Sequence, residues 1–213
     1  MIVGAHYDTV KGTKGANDNA SGVAALIEFA SYIKKLSLPY TIHLVAFANE
    51  ELPFIRTKNM GSYHYAKKLY DSKCKVMGMI SLETIGYYSH EKNSQRFSSF
   101  LPENIYPNIG NFIAFISNMK SKKFLANITK LFAEYSTFPH QTLSAPGWLP
   151  GINSSDHWSF WKFNYPAIMV TDTAPLRYPY YHKLTDTYDK VNYHDLVEVT
   201  KGLLLAITNL TAL

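Results

Sequence analysis

A chain of 213 residues, 46% hydrophobic and 17% charged, has the length for one domain with a sizeable core. Its net charge of +5 and pI near 9.1 come from scattered lysines near expected helix ends (Lys34-Lys35, Lys67-Lys68, Lys120 with Lys122-Lys123), where they complement helix dipoles and give no indication of a nucleic-acid partner. Cys74 alone forms no internal disulfide, no apolar run reaches the roughly 18 residues of a membrane span, and Met1 is expected to lead straight into a strand without a signal peptide, which leaves the compartment open.

The first strand, about residues 2 to 7, delivers His6 to its carboxyl end. An imidazole there offers one nitrogen to a ligand. Asp8, two residues on and on the same side of an extended chain, is placed to accept the proton of the other nitrogen. The loop Gly15-Ala16-Asn17-Asp18 then brings a carboxylate to the start of a helix over 20 to 35, whose apolar stripe reads Val23, Leu26, Ile27, Ala30 and Ile33. Asp18 is favoured there by the helix dipole, and an N-cap role does not exclude metal binding.

A second strand, 40 to 48, ends at Asn49-Glu50-Glu51. Adjacent carboxylates repel unless a positive group lies beside them. A helix over 60 to 70 leads to a strand over 75 to 83 that ends in Glu83. An irregular stretch with Pro102, Pro107 and the polar run 90 to 99 follows, then a strand at 112 to 117, a helix at 121 to 135, a short strand at 141 to 143, a helix at 156 to 163, a strand at 167 to 171 and a last helix from 192 to 209. Between the last strand and helix lies Tyr181-His182. Ser155-Asp156-His157 holds the side-chain types of a serine hydrolase, but sequence neighbours rarely form a triad, and Ser155 reads as a helix cap.

This alternation predicts an α/β fold: a three-layer, doubly wound, mostly parallel sheet with helices on both faces. Such sheets bind ligands beyond the carboxyl ends of their strands. The candidate ligands therefore fall on one edge, and two histidines with three carboxylates suit zinc, with cobalt or manganese as substitutes. Their number favours two ions sharing Asp18.

The quoted segments together resemble a zinc aminopeptidase domain of peptidase family M28: Gly-Ala-His6-Tyr-Asp8, Gly-Ala-Asn-Asp18-Asn-Ala-Ser-Gly, Asn-Glu50-Glu51, Met60-Gly61-Ser62, Ser-Leu-Glu83-Thr-Ile-Gly-Tyr, Ser155-Asp156-His157 and Tyr181-His182 with Thr185-Asp186-Thr187. The resemblance implies a dizinc exopeptidase acting on peptide or aminoacyl substrates. Asp18 bridges the ions, His6 and Glu83 complete one shell, and Glu51 and His182 the other. Glu50 matches the general base that deprotonates the shared water, Asp8 the partner of His6, and Tyr181 a donor to the tetrahedral intermediate. Relatives often have a cis peptide at Asp18-Asn19, and many have Asp where Glu83 stands. By the same analogy Asp156 and His157 lie at the rim of the substrate pocket.

Relatives also carry an N-terminal helix and strand pair that this chain lacks. Without them Ile42, Leu44 and Ala46 lie on an open strand edge that invites pairing with a second copy, so the sequence is expected to be a fragment or a domain completed by oligomerisation. Glutaminyl cyclases share the fold, use one zinc and carry Trp before the last ligating His; Tyr181 stands there and favours peptidase. A non-catalytic scaffold is the other alternative.

Overall fold

The computed structural model describes residues 1–101 and 105–210, so Pro102 lies outside the described residues. Its single sheet has six strands: β1 (Ile2–His6), β2 (His43–Phe47), β3 (Met79–Glu83), β4 (Ile113–Asn118), β5 (His140–Ala145) and β6 (Ala167–Thr171). The spatial order is β2-β1-β3-β6-β4-β5. β2, β1, β3 and β6 are mutually parallel, while β4 runs antiparallel to β6 and parallel to β5. Strand pairing starts level across the parallel part, with Ile2 opposite both His43 and Met79, and Met79 opposite Ala167. The strands expected from 40 and 75 begin at His43 and Met79, level with Ile2.

Helices α1 (Ala20–Ile33), α3 (Lys122–Tyr135) and α5 (Tyr193–Thr208) cover one face, where they bury Val3, Ala5, Ile80, Leu82, Phe115, Ile168 and Val170. Helices α2 (Gly61–Asp71) and α4 (His157–Trp161) cover the other, over Ile2, Phe47, Met79 and Ala167. Alternate residues of the strands thus enter opposite cores, and β1, β3 and β6, buried on both sides, are mostly apolar. His6 and Glu83 share the parity of Ile2 and Met79, so they emerge together on the α2/α4 side of the carboxyl edge.

α1 corrects one expectation. Its buried residues are Ser21, Gly22, Ala25, Leu26 and Phe29, while Ile27 is 67% exposed and Ala30 also faces outward. The helix lands on its smallest side: a Cβ on Gly22 would meet the Cβ of Ala5 at 3.0 Å, the Leu82 carbonyl at 3.0 Å and Asn19 Oδ1 at 2.7 Å. Only glycine permits that approach, and it rotates the apolar stripe. β2 is the outermost strand, paired with β1 alone among the described residues; Ile42 and Leu44 are half-buried against the main core, while Ala46 is exposed.

Gly22→Ala should lower stability by about 1–3 kcal/mol, the usual cost of overpacking, whereas Ile27→Ala should change it by less than about 0.5 kcal/mol. Urea unfolding of the two variants checks the rotated face.

Candidate metal centre

Each candidate ligand leaves a sheet strand or the loop beside it. His6 ends β1 and is fully buried; Glu83 ends β3 and is 5% exposed; Glu50 and Glu51 follow β2 at 3% and 6%. Asp18 precedes α1, and its peptide bond to Asn19 is cis. His182 sits in the loop after β6, its side chain 34% exposed. Asn49, Thr84 and His182 adopt positive φ angles of 59°, 47° and 57°, strained for residues with a Cβ and typical of positions over-determined by a functional site.

Of three overlapping groups of candidate donors, two share Asp18, and the third joins His6, Glu50 and Glu51. His6 Nε2 lies 3.4 Å from Asp18 Oδ1 and 3.2 Å from Glu83 Oε2. His182 Nε2 lies 3.1 Å from Asp18 Oδ2 and 3.5 Å from Glu51 Oε2. Asp18 therefore presents one oxygen to each of the two groups that share it. These spacings match the edge of a tetrahedron of donors at zinc bond lengths, roughly 3.3 Å. Glu50 belongs to neither triad as closely, with Oε2 3.9 Å from His6 Nε2. His6 Nε2, Asp18 Oδ1, Glu50 Oε1 and Glu51 Oε1 are buried and without hydrogen-bond partners among the described residues.

The electrostatics point the same way. Burial pushes the Glu50 carboxyl well above its usual range, and the neighbouring Glu83 adds to that. Burial, then Asp18, raises Glu51 to about 7. Asp18 is raised too, first by burial, although its hydrogen bond to His182 opposes this. Burial would lower His6, but Glu83, Glu50 and Asp18 outweigh it and hold the imidazole well above its ordinary value. Ionised, Asp18, Glu50, Glu51 and Glu83 make four buried negative charges, which two divalent cations would balance. Charge, orphaned donors and spacing all fit a pair of metal ions.

A layer of hydrogen bonds holds these groups in place. His6 Nδ1 bonds to the Asp8 backbone carbonyl at 3.0 Å, and the Asp8 carboxylate lies farther off at 3.7 Å. That carboxylate accepts instead from the amides of Glu50 (3.2 Å) and Glu51 (3.1 Å), so Asp8 partners His6 through its backbone and fixes the two glutamates through its side chain. Ser155 is not a cap either: its hydroxyl donates to Glu83 Oε2 at 2.7 Å and lies 2.9 Å from Ser81 Oγ. Asp186 accepts from the amides of Asn17 (2.9 Å) and Asp18 (3.1 Å) and from the Tyr178 hydroxyl (2.6 Å). Asn19 clamps β3 through the Leu82 carbonyl and the Thr84 amide. Asp172, just past β6, gathers Asn17, Thr84, Tyr87 and Ala174.

Tyr181 is half-buried and stacks on His182, with ring centroids 3.8 Å apart. Asp156 and His157, expected at a substrate rim, are both fully buried. His157 Nε2 bonds to the Ile152 carbonyl and its ring packs edge-on against Trp161, so neither residue offers surface to a substrate. The reason is the short loop that ties Ser155 down onto Ser81 and Glu83 and draws the next two residues beneath the site. The sequence carried a signal for the overlooked Asp172: it too is an acid at the end of an apolar strand.

The chain belongs to peptidase family M28, whose family model matches residues 1–207. Protein YfbL of Escherichia coli is 36% identical over 98% of this chain and 66% of its own length. An aminopeptidase from Aneurinibacillus sp. strain AM-1 superposes with a TM-score of 0.67 at 25% identity, over 97% of this chain and 42% of that one. A glutaminyl cyclase of Fimbriiglobus ruber shares the fold, with a TM-score of 0.67 at 20% identity over 99% and 70%. The chain thus spans under two thirds of YfbL's length and under half of the aminopeptidase's.

Burial raises the Asp156 carboxyl from an ordinary 3.8 to about 7, with His6 and Ser62 offsetting only part of this. A folded-state value above the unfolded one means the native state holds the proton longer, so in the metal-free protein stability falls as pH rises from about 4 to 7 and then levels off. Asp156→Asn should flatten that decline, each pH unit removed being worth about 1.4 kcal/mol. Urea unfolding of chelator-treated protein at both ends of the window checks it; an unchanged pH dependence contradicts the assignment.

Proposed function

We propose that this chain is the catalytic domain of a zinc aminopeptidase that hydrolyses the N-terminal peptide bond, with Glu50 as general base. The observation that carries this reading is Asp18 presenting one oxygen to each of two donor groups while Glu50, outside both, keeps a buried unpartnered oxygen beside them. His6, Asp18 and Glu83 would hold one ion, and Asp18, Glu51 and His182 the other; cobalt or manganese suit the same donors. Zinc bound there supplies an electrophile for the scissile carbonyl and a water of lowered pKa. The aminopeptidase among the similar structures supports cleavage at the amino end.

The chain's own residues account for the remaining steps. Glu50, with a carboxyl raised by burial, takes the proton of the attacking water and passes it to the leaving amine. The two amides held by Asp8 keep Glu50 aimed inward while Glu51 faces His182. The His6 Nδ1 bond to the Asp8 carbonyl selects the tautomer that leaves Nε2 free toward Asp18 and Glu83. Tyr181, beside His182, donates its hydroxyl to the developing oxyanion, and burial holds its proton well above the usual tyrosine range.

Glu50→Gln should lower kcat by about 10²–10⁴-fold while zinc content, measured by atomic emission, stays at the wild-type value. Undiminished hydrolysis of amino-acid anilides by this variant would overturn the assignment.

A further inference from the structure

Behind Tyr181 lies a cleft of about 500 Å³ lined by Arg96, Pro175, Arg177, Tyr178, Pro179, Tyr181 and Lys183, within the usual range for small-ligand sites. Three of these side chains are cationic and none is acidic. Tyr181 also stacks on His182, which lies 3.1 Å from Asp18, so one ring separates the cleft from the metal-ligand cluster.

Arg177 is the decisive group. It is 5% exposed, yet no carboxylate among the described residues forms an ion pair with it. Its Nε donates to Gln95 Oε1 at 2.8 Å and its Nη1 to the Phe112 carbonyl at 2.7 Å, while Nη2 is buried with no partner. The nearby acids are engaged elsewhere: Asp172 by Asn17, Thr84 and two amides, and Asp186 by Tyr178 and the amides of Asn17 and Asp18. The Arg177 charge is offset by the nearby Asp172 carboxylate and by the faces of Phe112 and Tyr88, so what a ligand would complete is the unpartnered Nη2 donor. At the rim, Arg96 spends Nη2 on the Pro175 carbonyl and Lys183 bonds the Pro179 carbonyl, and a guanidinium and an ammonium each keep further donors for a ligand.

We infer that this cleft binds a carboxylate on the residue that follows the cleaved bond, so that the preferred substrates are dipeptides with a free carboxyl terminus. The inference rests on the proposed peptidase reading for the position of the cleaved bond. A side-chain carboxylate at the same residue is the other source of this chemistry, and substrates can separate the two.

Binding is measured on the zinc-loaded Glu50→Gln protein by isothermal titration with Leu-Ala and Leu-Ala-amide, and with Leu-Glu-amide and Leu-Gln-amide. Leu-Ala should bind about tenfold or more tighter than its amide, as a charge-assisted bond gives. In a background also carrying Arg96→Gln and Lys183→Gln, both at the surface rim, the ratio should shrink to about twofold. Preference for Leu-Glu-amide over Leu-Gln-amide without any for Leu-Ala would replace the terminal carboxylate by a side chain. Equal binding of each acid and its neutral partner, or no binding of any, overturns the inference. Hydrolysis of Leu-Ala and of Leu-Ala-amide by the wild-type protein judges the peptidase reading separately: turnover without acid preference keeps that reading and sinks the cleft, and acid-selective binding without turnover of either does the reverse.

Discussion

The constraint on which the structure turns is the crowding of Asp18, Glu50, Glu51 and Glu83 with His6 and His182 into one buried space. Like charges so close in a low dielectric repel strongly, and each buried carboxylate without a partner opposes folding. Such a cluster holds protons, as its raised carboxyls do, or takes up cations. Donor pairs spaced at 3.1–3.5 Å around a shared Asp18 fit the pair of cations proposed here.

Much of the polar architecture is understandable as restraint on that cluster. The segments around it are tied to one another by buried and partly buried hydrogen bonds: Asp8 to the Glu50 and Glu51 amides, Ser155 to Glu83, Asn19 to β3, and Asp186 to the Asp18 loop. Asp186 and His182 lie in one short loop, so the segment that supplies an exposed candidate ligand also anchors Asp18. The sheet beneath is largely apolar, which leaves these bonds to orient the clustered side chains. The positive φ at buried Thr84 is held by the bonds of its amide to Asn19 and its hydroxyl to Asp172.

How much of this was legible in the sequence depends on the range of the interaction. Apolar runs ending in His6, Glu51 and Glu83 announced both the strands and the edge at which they meet, because period and polarity are local properties. The motif order identified the family, and the same residues converge in the structure. What failed was non-local. The face of α1 was misplaced because Ile27 and Ala30 fit a helical stripe as well as Ala25 and Phe29 do, and only the contact of Gly22 with Ala5 and Leu82 decides between them. The roles of Asp8 and Ser155 shifted for a similar reason: each side chain could serve its sequence neighbour, yet found a better partner across the fold. The burial of Asp156 and His157 follows from Ser155 in turn.

The most direct test of the account is X-ray anomalous scattering from crystals of the zinc-loaded protein, collected on both sides of the zinc absorption edge. The account predicts two anomalous peaks per chain, one between His6 and Glu83 and one between Glu51 and His182, with the Asp18 carboxylate between them. A single peak, or two that do not share Asp18, would contradict it.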